Sequence, residues 1–295
     1  MRKLKYYLLI VITMIQILGA CEPQNTIYGS GVIVASLYDK DGEQQLLFND
    51  MATNKYYTIA LPRPIRGFSI SGSGQIIYTS MSTLYLFDIN GGESKLTSLA
   101  GDLGTPIWSK NGDYIAFAAV QDKVNTYLYD AQHGTTIKIS TNPDYSESPV
   151  GWLDNYHILL ISGIATPDVE VGTDWLTTIR NDGTERKALY QWASNQFVTQ
   201  ISLSPDGKTL LLGIEDKSES GTSLFELFSI SDFAEKLLAN IPSDSTSFAW
   251  SPNGASFAYI HDQGIYIYDL NTGDINKLPV PNNNYNDLVW GQTVN

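Results

Sequence analysis

Short apolar runs alternate with glycine-containing turns along most of the chain, and the turns share a pattern. An apolar residue is followed by Ser, any residue, then Asp, Asn or Ser, and Gly, and a β-rich run comes next. Gly supplies the positive φ of tight hairpin turns, so each copy predicts a turn that joins two strands. The copies are Ile70–Gly74, Trp108–Gly112, Leu203–Gly207 and Trp250–Gly254.

Two further copies, one degraded and one cut short, complete a regular series. Trp152–Asn155 lacks the Ser and the Gly, and Trp290 stands close to the C-terminus. The six copies begin 44 residues apart on average, between positions 70 and 290. A period of roughly 40–45 residues is typical of a propeller blade.

A second phrase follows each copy, in which an alternating strand leads through a turn to another strand. Ile265–Asp269 with Gly273 is the clearest example, and Tyr127–Asp130 with Gly134 is similar. The two phrases together predict four strands in each unit, which we name A to D. Four-stranded antiparallel units repeated around a ring predict an all-β, six-bladed propeller.

The two ends of the chain supply parts of one blade. The first unit has a strand B at Val32–Leu37 but no strand A before it, and Asp287–Trp290 is a strand A with no later strands. We therefore expect the C-terminal strand to join the N-terminal blade, which closes the ring without an unpaired edge. The tryptophans that recur with the period are expected to pack between blades.

These phrases resemble the WD40-like repeat of the TolB propeller family, whose units carry a Trp-Ser-Pro-Asp-Gly stretch and an aromatic-x-Asp stretch. The resemblance covers about residues 30–291 and is weakest in the unit that starts near residue 148. It implies a propeller domain over residues 30–295. The α/β domain that precedes the propeller in TolB has no counterpart here, so we expect a stand-alone propeller and carry over no role from TolB.

The N-terminus predicts export. A basic start is followed by an apolar run from Tyr6 to Leu18, which fits a signal peptide over residues 1–20 and is short for a membrane span. Leu18–Cys21 resembles a bacterial lipobox, which implies lipid attachment at Cys21, the single cysteine of the chain. Residues 21–29 would then tether the propeller to a membrane on the extracytoplasmic side of the cell envelope. An ordinary signal peptide and an uncleaved anchor are the alternatives.

Charge and motif content narrow the classes of function. The net charge of −13 disfavours a nucleic-acid partner. His133, His157 and His261 fall in three different units without metal-ligand spacing, and the chain has neither a Gly-x-Ser-x-Gly elbow nor a phosphate-binding glycine loop. We expect no enzyme activity, no cofactor and no metal.

The predicted blades have two unlike faces. The A–B and C–D turns share one face and are short and repetitive, whereas the B–C turns and D–A connections share the other and are irregular. Binding residues usually lie on irregular loops held by a rigid scaffold, so the second face is the candidate site. Its acidic and aromatic residues on the fourth and fifth units are Asp144, Tyr145, Asp168, Glu170, Asp174, Trp192, Glu215 and Asp216.

These features predict a lipid-anchored scaffold that binds another envelope protein. Trp175 and Trp192 lie off the blade register and are the tryptophans to examine as ligand contacts. The alternatives are a glycan or small ligand in the central funnel and, less favoured, a hydrolase. Solvated acidic loops without a partner would give the same pattern.

Overall fold

All secondary structure in the described part of the computed structural model is β-strand, arranged in six antiparallel sheets around an axis. The structure describes residues 31–39, 41–88, 92–140, 142–164, 174–216 and 223–292. Within them, no helix is long and apolar enough to span a bilayer. The prediction of an all-β, six-bladed propeller is confirmed.

The strands follow the predicted order A to D from the axis outward in each blade. Blade 1 contains β1 (Val32–Tyr38), β2 (Gln44–Asp50), β3 (Lys55–Ala60) and the C-terminal β25 (Tyr285–Gly291). Blade 2 contains β4 (Gly67–Ile70), β5 (Ile76–Ser80), β6 (Thr83–Asp88) and β7 (Gly92–Ser98). Blade 3 contains β8 (Asp102–Leu103), β9 (Ile107–Trp108), β10 (Tyr114–Val120), β11 (Val124–Asp130) and β12 (Thr135–Lys138). Blade 4 contains β13 (Tyr145–Trp152), β14 (His157–Ile164), β15 (Trp175–Arg180) and β16 (Lys187–Gln191). Blade 5 contains β17 (Gln196–Leu203), β18 (Thr209–Asp216), β19 (Ser223–Ser229) and β20 (Glu235–Leu237), and blade 6 contains β21 (Thr246–Trp250), β22 (Ser256–His261), β23 (Gly264–Asp269) and β24 (Ile275–Lys277).

The ring closes as the sequence predicts. Strand β25 pairs antiparallel with β1, with Trp290 opposite Ile33 and Leu288 opposite Ala35. Both ends of the chain therefore contribute to one sheet, in the order β25-β1-β2-β3. Sharing a sheet between the termini leaves no unpaired strand edge at the seam.

The repeated Ser acts as a hydrogen-bonding clamp in the A–B turns of blades 2, 3, 5 and 6. Ser251 is fully buried, and its Oγ accepts the backbone N–H of Ser256 at 3.0 Å while donating to Asn253 Oδ1 at 2.8 Å. Ser204 makes the equivalent contacts with Thr209 and Asp206, at 2.9 and 2.7 Å. The clamp fixes the turn that carries the chain from the innermost strand to strand B.

The recurring tryptophans join neighbouring blades. The Trp152 indole N–H of blade 4 donates to the Ile107 carbonyl of blade 3 at 3.2 Å. Trp250 of blade 6 makes the same contact with the Ser202 carbonyl of blade 5 at 3.1 Å. The structure thus places these two side chains between blades, which is the role that their spacing predicts.

Candidate functional site

The irregular face, formed by the B–C turns and D–A connections, is held together by contacts between these segments. The Leu103 N–H of blade 3 donates to the Met81 carbonyl in the B–C turn of blade 2 at 2.8 Å. The Lys123 ammonium, in the B–C turn of blade 3, donates to the carbonyls of Asn142 and Tyr145 at 2.5 and 3.1 Å. The B–C turns of blades 2 and 3 are therefore held by hydrogen bonds that cross from one blade to the next.

Two of the predicted acidic residues border the connection from blade 4 to blade 5. The Asp174 carboxylate accepts the Val198 backbone N–H at 3.3 Å, and burial raises the pKa of Asp174. Asp216 accepts a hydrogen bond from the Asn195 amide at 2.9 Å. Both acids are half-buried and hold the connection in place, as well as adding negative charge to the face. Glu215, also half-buried, precedes Asp216 on β18.

Asp144 and Tyr145 lie on the same face at the start of blade 4. Asp144 is exposed, whereas Tyr145 is half-buried. The Tyr145 ring packs edge-on against Trp175, with 5.1 Å between ring centroids. This pair puts an aromatic group beside an exposed carboxylate at the start of blade 4.

Trp192 is not a surface anchor, and this corrects the sequence prediction. Its side chain is only 2% exposed and packs with Tyr190 and Phe228, at centroid distances of 5.2 and 5.9 Å. The backbone N–H of Trp192 donates to the Asp174 carbonyl at 3.1 Å, and the indole lies in the buried cluster between blades 4 and 5. Asp168, Glu170 and Cys21 lie outside the described residues.

Exposed apolar side chains also lie on the irregular face, and the sequence analysis did not predict them. They are Tyr38, Met81, Val120 and Leu224, with 43, 69, 48 and 52% of their surfaces exposed. Each lies at or beside a B–C turn, where polar residues usually stand. Met81 also has a positive φ of 49°, which is uncommon for a residue with a side chain. Apolar residues at turn positions were the signal that could have revealed them.

A channel along the propeller axis is the second candidate site. Its cavity of about 960 Å³ is lined by strands A of all six blades and extends to the A–B turns. The lining contains two charged residues among those described, Asp287 on β25 and Lys110 in the A–B turn of blade 3. The Lys110 ammonium donates to the Leu153 carbonyl at 2.9 Å, so the carboxylate of Asp287 on strand A is the distinctive charged group of the channel wall.

The three histidines remain apart, each beside a carboxylate. His157 lies 2.8 Å from Asp154, and the hydrogen bond to Asp154 is the main cause that raises the pKa of His157. His133 pairs with Asp130 and His261 with Asp244. Among the described residues, no three His, Cys, Asp or Glu side chains come close enough together to hold a metal ion.

The chain is similar to known propeller proteins over most of its length. Residues 204–293 match the dipeptidyl peptidase IV (DPP IV) N-terminal region. No curated protein matches the chain. The structure of TolB from Acinetobacter baumannii is similar with a TM-score of 0.71 and 18% identity, over 89% of this chain and 67% of that one.

Two further solved structures resemble the fold. A protein from Agrobacterium tumefaciens assigned as a TolB has a TM-score of 0.60 and 15% identity, over 85% of this chain and 89% of its own. An oligogalacturonate lyase in complex with manganese has a TM-score of 0.58 and 14% identity, over 81% of this chain and 71% of its own. At these identities the likeness concerns the fold. The chain is therefore a TolB-like six-bladed β-propeller in its fold, as its repeats predict.

Proposed function

We propose that the protein is a binding scaffold, without enzymatic activity of its own, that presents its irregular face to another protein of the bacterial cell envelope. The observation that carries this proposal is the set of apolar side chains that protrude from the B–C turns. Exposed apolar groups cost free energy in water, and several of them on one face of a protein are typical of an interaction surface. The described B–C turns of blades 2 and 3 are held by hydrogen bonds to the next blade.

The charge of the face indicates the kind of partner. Asp144 is exposed, and Glu215 and Asp216 add carboxylates on the neighbouring blade. Among the described cations of the face, Lys123 binds two carbonyls and Arg66 pairs with Asp102 at 3.1 Å. A partner with apolar anchors and a basic rim would complement this surface.

The proposed lipid on Cys21 would keep the propeller close to a membrane. Eight residues, 22–29, would separate the lipid from the fold, and a chain of that length extends roughly 26–29 Å at most. A tether of this reach favours partners in the membrane or next to it. Cys21→Ser removes the thiol that would carry the lipid and should therefore release the protein from the membrane fraction.

Capture of the partner tests the proposed face. Met81, Val120 and Leu224 would be replaced together by Ser, and the variant compared with the wild-type chain in affinity purification from crosslinked envelopes. We expect the variant to lose a partner that the wild type retains. The matched control replaces Ile137, Leu237 and Ile275 by Ser, because these residues are also exposed but lie on the outer strands D.

The outcomes separate the proposal from a general loss of solubility. Retention of the partner by the control and its loss from the Met81, Val120 and Leu224 variant would support partner binding at the irregular face. Equal capture by both variants, with melting temperatures like that of the wild type, would contradict it.

Small-ligand binding in the channel is a second candidate function. The cavity of about 960 Å³ falls in the range of known ligand sites, roughly 300–1,000 Å³, and supports this alternative. A glycan is one such ligand, and a lyase that acts on oligogalacturonate shares the fold. Titration of the protein with neutral and charged small molecules tests this candidate.

A further inference from the structure

Asp287 is an acid placed inside a channel that is otherwise nearly free of charge. It lies on β25, the innermost strand of the closing blade, and is half-buried among the lining residues. Burial raises the pKa of Asp287 because a carboxylate is poorly solvated there. A cation bound in the channel would relieve that cost.

The hydrogen bonds of the carboxylate leave one oxygen for a ligand. Ser247 Oγ donates to Asp287 Oδ1 at 2.5 Å, and the Leu288 N–H lies 2.9 Å from the same oxygen. Within the described part of the chain, both hydrogen bonds of the side chain go to Oδ1. Oδ2 is thus available to a group in the channel.

The surroundings select the type of cation. A metal ion such as calcium needs six to eight oxygen ligands, and no cluster of acids among the described residues provides them. A guanidinium prefers both oxygens of a carboxylate, and here one is already engaged. A primary ammonium needs one carboxylate oxygen together with hydroxyl or carbonyl acceptors, which Thr246 and Gln200 of the lining can supply.

Two tryptophans of the wall can report on the channel. Trp250 and Trp290 belong to the two blades that hold Ser247 and Asp287, and both line the channel. Both residues are only 7% exposed and pack between blades, so the carboxylate of Asp287 is the group that attracts the ligand.

We propose that the central channel binds a primary alkylammonium group through Asp287 Oδ2. This inference rests on the second candidate function and names the class of its ligand. The group can belong to a free polyamine or to a lysine side chain of a protein, and the chemistry of recognition is the same in both cases.

Calorimetric titration of the full-length protein tests the site. The probes are cadaverine, Nα-acetyl-lysine amide and 1,5-pentanediol, the last being a neutral analogue of cadaverine. We expect an ammonium probe to bind and the diol not to bind. Asp287→Asn should weaken binding at least tenfold, whereas Asp274→Asn, exposed in the C–D turn of blade 6 and outside the channel, should leave it unchanged.

A second measurement needs no variant, so it is valid even if Asp287→Asn does not fold. Tryptophan fluorescence of the unmodified chain should change on adding an ammonium probe and stay constant with the diol. Binding of the lysine amide alone would identify a protein side chain as the source, and binding of cadaverine would show that a free amine suffices. Either result supports the site.

The contrary outcomes distinguish failure of the ammonium site from failure of small-ligand binding in the channel. Ammonium binding that is unchanged in Asp287→Asn overturns the assignment to Asp287. Binding of the diol, or of a neutral oligosaccharide, without binding of either amine would overturn the inference and leave small-ligand binding in place. If no probe binds and the fluorescence is constant, both the inference and the second candidate function fail.

Discussion

Two equally buried tryptophans differ in one hydrogen bond. Trp250 and Trp290 are both 7% exposed, but only the Trp250 indole N–H has a protein partner among the described residues. A buried carbonyl that loses its hydrogen-bond donor is still shielded from water, so its lost hydration is no longer compensated. The bond from Trp250 to the Ser202 carbonyl should therefore contribute to blade packing beyond the volume of the ring.

Replacement of each tryptophan by Phe separates these effects. Trp250→Phe should destabilise the fold by about 1 kcal/mol more than Trp290→Phe, because only the first removes a hydrogen bond. Urea unfolding measures both changes. Equal losses would mean that the indole bond adds nothing to packing.

Glu226 gives the fold a dependence on pH. Burial, with a smaller effect of Glu235, raises the pKa of Glu226 to about 7 from its ordinary value of 4.5. A carboxyl group with a raised pKa stabilises the fold fully below its unfolded pKa, and this contribution is lost as the pH rises through the folded pKa. The wild-type chain should therefore lose stability between pH 4.5 and 7 at this site.

Glu226→Gln removes this loss. The variant and the wild type should have similar stability near pH 4.5, and the variant should be more stable at pH 8 by about 1–2 kcal/mol, with solvent screening allowed for. Chemical denaturation at the two pH values measures the difference. A difference that does not change with pH would contradict the assignment.

Individual residues were the hardest level to predict from sequence. Asp144 and Tyr145 were placed on the correct face because turn positions follow from the blade period. The prediction that Trp192 contacts a partner was wrong because this residue lies one position after strand β16, where a side chain can turn outward or inward. Asp287 was not recognised as a site because a strand residue gives no sign that it faces an axial channel.

The Ser clamp gives the A–B turns of blades 2, 3, 5 and 6 the same hydrogen bonding at the start of strand B. In blade 4 the clamp is missing, since Leu153 replaces the Ser. Asp154 takes over part of its role by accepting the N–H groups of Tyr156 and His157, both at 2.7 Å. This substitution explains how a blade with a degraded repeat keeps its turn.

Loss of one clamp should weaken the turn measurably. Ser251→Ala leaves the Ser256 N–H without its partner in a buried position and should cost about 1–3 kcal/mol in unfolding free energy. Ser231→Ala is the control, because that Ser is exposed and bonds only to Ser229. A cost for Ser251→Ala no larger than for the control would show that the clamp is dispensable.

The sequence predicted most strands but not their interruptions. Strand A of blade 3 is divided into β8 and β9 around Gly104, Thr105 and Pro106. Pro106 has no N–H to give to a sheet, which accounts for the gap. Irregularity of this kind depends on local backbone contacts, whereas the blade period depends only on repeated side chains.

The whole molecule depends on the seam between its two ends. Strand β25 provides the innermost strand of blade 1 and packs against blade 6, where Leu288 and Trp290 join the buried cluster of Ile260 and Ile267. The closure was predictable because each terminal unit lacked what the other supplied.

Removal of β25 should open the ring. A chain ending at Asn284 loses the pairing with β1 and exposes the cluster, so its thermal melting temperature should fall sharply and its transition broaden. A chain ending at Gln292 keeps β25 and is the control. Identical melting of the two shortened chains would contradict closure by β25.

The central functional claim is that the irregular face, and not the regular one, receives a protein. A photo-crosslinking amino acid at position 81 and another at position 156 test this directly, because Met81 and Tyr156 are exposed by 69 and 56% on opposite faces. We predict a crosslinked protein adduct in living cells from position 81 and none from position 156. Adducts from position 156 alone, or equally from both, would contradict the account.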